Sequence, residues 1–322
     1  MKKKILIVAL LILSMGMQGF AQTTTISDIR QNVAAFSSAM AESLPFNSTL
    51  GLNWSDAYIG KLFPSAIPHF GVGLSLGFTS LDLPAFSDLM SAFGADGIND
   101  MPFNMDRMIL PAYTLEARIG GFFLPFDMGF KFGYLPEVNF PMADSLNIHY
   151  MLVGFDVRYA LMEGNVILPK ISLGLGFNYL EGGIGASVGS DIEINPGSGG
   201  NFTIHAPKVG LRWEAYTFDL RAQISKSFLI ITPYLGFGAT YGWSTAGYEI
   251  ETTISGNTAA ANGLEERTSR GLSSMVEQSG QFAFRTFGGL SINLAVIKLD
   301  FSGMYNFSDN NFGASFGFRF QL

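Results

Sequence analysis

The sequence predicts an all-β protein: an antiparallel, up-and-down β-barrel that crosses a membrane on about ten strands. Three observations predict it. From residue 68 onward, segment after segment alternates apolar with small or polar residues at a period of two. Apolar residues make up 48% of the chain and charged ones only 14%, against about 25% in a typical soluble protein, yet no stretch supplies the ~20 consecutive apolar residues of a spanning helix. The alternating segments also reach the ~9–11 residues that a tilted strand needs to cross a bilayer.

The first 21 residues read as a secretory signal peptide. Lys2, Lys3 and Lys4 precede an apolar run from Ile5 to Leu13, and Gly19 and Ala21, flanking Phe20, form a small-x-small site with cleavage expected after Ala21. The run is too short for an uncleaved membrane anchor. Cysteine is absent, which excludes disulfides, thiolate metal sites and attachment of a lipid through cysteine. An exported chain of this kind draws its stability from its sheet or its membrane.

Residues 22–67 read as a short periplasmic or plug segment ahead of a barrel at 68–322. Ile29, Val33, Phe36 and Met40 have helical spacing, with Ser27 as a candidate N-cap. A brief alternation follows at Leu50, Leu52 and Trp54.

The strands come next. Phe70, Val72, Leu74, Leu76 and Phe78 oppose Gly71, Gly73, Ser75, Gly77 and Thr79. Tyr113, Leu115, Ala117 and Ile119 oppose Thr114, Glu116, Arg118 and Gly120. Met128, Phe130, Phe132 and Tyr134 oppose Gly129, Lys131 and Gly133. The rule continues near 151–161, 167–180, 217–225, 229–243, 282–294 and 297–307, and the chain closes on Phe312, Ala314, Phe316, Phe318, Phe320 and Leu322. One segment changes phase: Val209, Leu211, Trp213 and Ala215 are odd-numbered, whereas Tyr216, Phe218, Leu220, Ala222 and Ile224 are even. With no turn residues there, a β-bulge near Ala215 is expected.

Short connections at 125–127, 162–165, 225–227 and 295–297 alternate with longer or more polar ones at 82–111, 136–146, 182–206, 248–280 and 308–311. Short periplasmic turns and longer outer loops suit a membrane barrel. Ten strands result. Twelve follow if the Leu50 segment and the phase break each add one. The 248–280 stretch, rich in Gly, Ser and Thr, reads as an exposed, mobile loop.

A secreted soluble β-sandwich would also alternate, but its outer face would be charged. Here the second face is mostly Gly, Ser, Thr and Asn, so the Phe-rich face is assigned to lipid. The closing "FGASFGFRFQL" resembles the C-terminal strand of bacterial outer-membrane β-barrel proteins, with Phe316, Phe318, Phe320 and Leu322 carrying the signal. That resemblance implies an outer-membrane location, contact with outer-membrane lipid, and recognition by the barrel-assembly machinery. Those strands usually end in Phe; this one ends in Leu322.

The small-residue face carries ten bases, Arg118, Lys131, Arg158, Lys170, Lys208, Arg212, Arg221, Arg285, Lys298 and Arg319, and five acids, Glu116, Asp156, Glu214, Asp219 and Asp300. Each acid lies two residues from a base, on the same face of its strand: Glu116–Arg118, Asp156–Arg158, Arg212–Glu214, Asp219–Arg221 and Lys298–Asp300. Either these charges fill a narrow, salt-bridged interior, or the excess (Lys131, Lys170, Lys208, Arg285 and Arg319) lines a water-filled path favouring anions.

Three functions follow as expectations. The first is porin-like passive passage of small solutes past a net basic lumen. The second is transport of hydrophobic compounds, with Met90, Phe93, Met101, Phe103, Met105 and Met108 forming an adaptable capture loop. Hydrophobic outer loops and an N-terminal plug are also found in long-chain fatty-acid transporters, but that family has fourteen strands and an Asn-Pro-Ala near the start that this chain lacks. The third is a non-conducting barrel that works structurally or through its loops. An enzyme is not expected, since no spacing pairs His69, His149 or His205 with a nucleophile. No metal or cofactor motif is present, and the bases are dispersed singly rather than gathered into a nucleic-acid surface.

Overall fold

A computed structural model describes residues 26–62, 69–82, 107–140, 143–187, 191–194, 201–205, 208–257 and 267–322. The expected signal peptide, together with Met90, Phe93, Met101, Phe103 and Met105, lies outside the described residues. The elements are one helix, α1 (Ile26–Asn47), and twelve strands: β1 (Phe70–Asp82), β2 (Arg107–Gly120), β3 (Phe126–Phe140), β4 (Ala143–Met162), β5 (Lys170–Ser187), β6 (Ile192–Ile194), β7 (Asn201–Ile204), β8 (Lys208–Ser225), β9 (Ile231–Asn257), β10 (Arg267–Leu294), β11 (Ile297–Asn306) and β12 (Phe312–Gln321).

Ten of these strands make the wall. Each pairs antiparallel with the next, and β12 pairs with β1 from Gly71–Gln321 to Thr79–Gly313, closing the cylinder. β6 and β7 form a small hairpin added to the far end of β9. The alternation explains the closure physically. A sheet with one oily face and one polar face that wraps on itself leaves no edge, and lipid tolerates no unpaired backbone.

The faces are inverted relative to a soluble barrel. Leu76 is 52% exposed and Phe130 48%, whereas Arg118, Lys131, Arg158, Arg285 and Arg319 are among the most deeply buried side chains. Tyr179 and Tyr216 pack 4.9 Å apart, and Tyr241 and Trp243 5.0 Å apart, beside outward-pointing Glu181 and Glu214. Aromatic residues at this level mark a membrane–water boundary. Among the described residues, no helix is long and apolar enough to cross a membrane. The strands do the crossing.

Two expectations about strand count are corrected. The Leu50 segment is not a strand; Leu50, Leu52 and Trp54 are buried inside the cylinder. Nor does β8 contain a bulge, for its register runs unbroken from Lys208 to Ser225 against both β5 and β9. Trp213 and Ala215 stay on the inner face and pack on α1, while Arg212 points outward. The strand keeps its phase; its surroundings change. Above Tyr216 the outside is water and the inside is a helix, so the apolar residues change sides.

The 248–280 stretch is corrected as well. β9 and β10 pair beyond the barrel as far as Ile254 and Arg267, so most of it is a hairpin rather than an open loop. Thr and Ser suit an extended ladder, and composition alone misread them.

Inside the wall runs residues 37–61. As β1 climbs from Gly71 to Leu81, its neighbours in this segment change from Trp54 through Leu50 to the Met40–Leu44 turn of α1. The chain therefore descends the lumen from the long-strand end, and Leu62 N bonds to Gly121 O at the short-turn end.

Candidate functional site: the barrel lumen

The lower lumen is an ionic floor. Asp127 on β3 accepts from Arg118 at 2.6 Å and from Arg158 at 2.8 Å. Asp156 on β4 takes Arg118 at 2.9 Å and also meets Arg221. Arg285 donates to Asp219 at 2.7 and 3.0 Å, and Arg319 donates to Asp300 at 2.6 and 3.2 Å. These pairs cross between strands and do not follow the expected spacing of two along one strand. Residues i and i+2 stand about 6.7 Å apart, whereas cross-strand neighbours stand about 5 Å apart. Glycine makes the crossing possible: Gly129 lies in register between Arg118 and Asp156, where a Cβ would collide with both side chains.

The descending segment is tied into this floor. The Asp56 carboxylate lies 2.6 Å from Lys298, 3.1 Å from Arg319 and 3.6 Å from Lys170. Burial pushes the Asp56 carboxyl up, but Lys298, Lys170 and Arg319 together outweigh it and hold it well below the usual carboxylate range. Trp54 donates from Nε1 to Glu116 at 2.5 Å, and its ring carries Arg319 at 4.5 Å and Arg118 at 5.6 Å. Backbone groups are held too: Arg158 donates to Asp56 O, Lys170 to Tyr58 O, Gln223 to Trp54 O and Tyr234 to Asn53 O. Lys131 donates to Ser48 O and Leu50 O, capping the carbonyls just past α1.

Above the floor the lumen turns apolar. Met40, Ala41 and Leu44 of α1 pack with Leu81, Tyr150, Leu152, Leu180, Trp213, Ala215 and Ala246 of the wall, and Leu110, Ala112 and Leu135 extend the cluster. The lumen thus has two chemistries, one above the other.

Residues 86–322 match a family of unknown function, DUF6588. The chain belongs to this family. The match covers most of the barrel wall and begins after α1 and β1. No curated protein matches the chain. Among solved structures, it is similar to the outer-membrane protease OmpT of Escherichia coli, at 9% identity, 80% coverage of this chain, 99% of that one and a TM-score of 0.43. The translocator domain of the autotransporter NalP from Neisseria meningitidis gives 8% identity, 81% and 91% coverage and a TM-score of 0.32. A FadL homologue of Pseudomonas aeruginosa gives 8%, 84%, 97% and 0.28. The inverted faces and the closed wall make the DUF6588 chain an outer-membrane type of β-barrel.

The site residues read from the sequence fall into place as follows. Glu116, Arg118, Lys131, Asp156, Arg158, Asp219, Arg221, Arg285, Asp300 and Arg319 are buried in the floor, and Lys170 and Lys298 are half-buried at its lower edge. Four of the five cations set apart as excess have partners: Lys131 on carbonyls, Lys170 on Tyr58 O and Asp56, Arg285 on Asp219, Arg319 on Asp300. For Lys208 and Met108 the backbone lies in β8 and β2, and their side chains are not described. Phe316, Phe318 and Phe320 point outward from the closing strand, and Leu322 N bonds to Phe70 O at 2.9 Å.

Sequence reasoning missed three members of the floor. Asp127 was assigned to a turn, although it shares odd numbering with Gly129 and Lys131. Asp56 and Trp54 lie outside the strands: the short alternation Leu50, Leu52, Trp54 marked Trp54 as apolar without marking it as a partner of charges, and Asp56 is the one acid between residues 43 and 67. The histidines stand apart: His69 Nδ1 is 3.3 Å from Leu322 O, and exposed His205 is 2.9 Å from Asp191.

Proposed function

We propose that the protein transports small hydrophobic compounds across the outer membrane, with residues 37–61 closing the lumen at rest. The apolar upper lumen, lined from both α1 and the wall above an ionic floor, is the observation that carries this reading. An apolar lining exposed by a shift of α1 would desolvate and hold an apolar solute. On this reading the Met-rich 90–108 stretch collects the compound, and a shift of the lumen segment lets it pass. The closing strand is read during assembly by the barrel-assembly machinery.

Porin-like anion passage would need uncommitted cations around open water. The partners of Lys131, Lys170, Arg285 and Arg319 speak against it.

The test is uptake of a fluorescent long-chain fatty acid by cells expressing the intact protein or a variant lacking residues 86–106. The intact protein should raise uptake, and the deletion should remove most of the gain while heat-modifiable migration persists. Uptake no greater than in cells without the protein sinks the reading. So do steady, anion-selective channels formed by the intact protein in planar bilayers.

A further inference from the structure

The wall is not equally joined all the way round. β2 pairs with β1 along its whole length, from Arg107 to Ile119. On its other edge it pairs with β3 only from Leu115 to Gly120, against Phe132 to Asp127. Carried upward, that register sets Tyr113 opposite Tyr134, Ala112 opposite Leu135, and Pro111 opposite Pro136. Proline has no N–H, so the sequence places a non-donor on both facing edges four residues beyond the last ladder pair, Leu115–Phe132, where the pairing could otherwise resume. β3 also breaks register with β4 between Leu135 and Val138.

The gap is closed by a side chain. Tyr150 of β4 reaches over β3, and its hydroxyl accepts from Tyr113 N at 2.6 Å while donating to Tyr113 O at 2.7 Å. One phenol thus stands in for a ladder partner. Its path lies across Gly133, where a Cβ would collide with the Tyr113 carbonyl and crowd the Tyr150 ring at 3.2 Å. A second bridge, from the Tyr113 hydroxyl to Tyr134 O, crosses the same seam. A side-chain hydroxyl can swing away and keep a partner, whereas a ladder must be broken pair by pair.

The seam's height gives it a neighbour on each side. Tyr113 stands seven residues above Gly120, about 18 Å up the wall at ~3.3 Å per residue and ~40° tilt, within the outer part of a ~25 Å apolar band. Inward, Ala112, Leu135 and Tyr150 belong to the apolar cluster packed around α1. Outward lies hydrocarbon.

We propose that the upper β2–β3 seam is a lateral doorway through which a hydrocarbon or fatty-acyl chain passes between the apolar upper lumen and the outer leaflet. The proposal rests on the transport reading above and adds the route. Tyr150 is its latch. In the sequence, β2 directly follows the Met-rich stretch proposed above to collect the compound.

The chain's lack of cysteine permits a direct test. A112C/L135C would be joined across the seam by oxidation, and A117C/F130C across the paired stretch below it. Fluorescent fatty-acid uptake should fall at least tenfold in oxidised A112C/L135C, return on reduction, and stay unchanged in oxidised A117C/F130C. A112W, which fills the seam without a cross-link, should lower uptake as well and covers the case in which the double variant does not fold. Full uptake through the locked seam overturns the doorway and leaves transport standing. Equal loss from both cross-links overturns it too. Absence of uptake by the unmodified protein overturns the transport reading, and the doorway with it.

Discussion

Arg118 on β2 and Asp127 on β3 meet at 2.6 Å with neither side chain exposed, inside a wall whose outer face is hydrocarbon. Such a pair is held by mutual need: desolvation makes each charge costly alone. Asp127 also carries Arg158 and the backbone N–H of Ile59 at 3.1 Å, so one carboxylate joins β2, β3, β4 and the lumen segment.

Asp127→Asn should therefore destabilise the barrel by about 3–5 kcal/mol, the usual consequence of removing one partner from a buried pair. The temperature at which the folded band is lost in gel electrophoresis reports it. An unchanged transition would show that Asp127 is dispensable.

Asp56→Asn acts on the segment rather than the wall. It leaves Lys298 facing Arg319 without the shared carboxylate, so the lumen segment loses its buried charged anchor. Planar-bilayer recordings should show brief openings at least tenfold more frequent than in the unmodified protein, with the barrel still folded. Identical records from both proteins would count against the anchor.

Acid should imitate that substitution. Asp56 titrates below the usual carboxylate range, so its contribution is complete above the ordinary value of about 3.9 and fades as pH falls through the lower folded-state value. Recordings at pH 7 and pH 5 should match, and openings should appear only once the pH has fallen below the ordinary carboxylate value of about 3.9. Openings that begin between pH 7 and 5 would point to another group.

The assignment of faces predicts a contrast between two leucines. Leu76→Arg puts a guanidinium on the lipid face of β1 and should cost about 2–4 kcal/mol near the bilayer midplane. Leu229, fully exposed at the tip of the β8–β9 turn, should accept arginine at about 0–1 kcal/mol. Folding yield into vesicles measures both.

The sequence made the wall legible because strand alternation is local. Val72, Leu74 and Leu76 declare a face within five residues, and a closing strand as apolar as Phe312–Leu322 has to pair with something. Phase was less safe. Trp213 and Ala215 looked displaced because hydropathy reports the surroundings of a residue, not the direction in which its strand points it.

By itself the sequence determined the inverted barrel: ten tilted strands, oil outside and charge inside, since a period of two with those residue types has one stable arrangement in lipid. Tertiary structure alone decided what the charges do. Asp56 and Arg319 are 263 residues apart yet share one floor, and Tyr150 bonds to the Tyr113 backbone on a strand that is not its neighbour. Closing a cylinder brings opposite walls and a returning chain within reach, and no local pattern records which of them will meet.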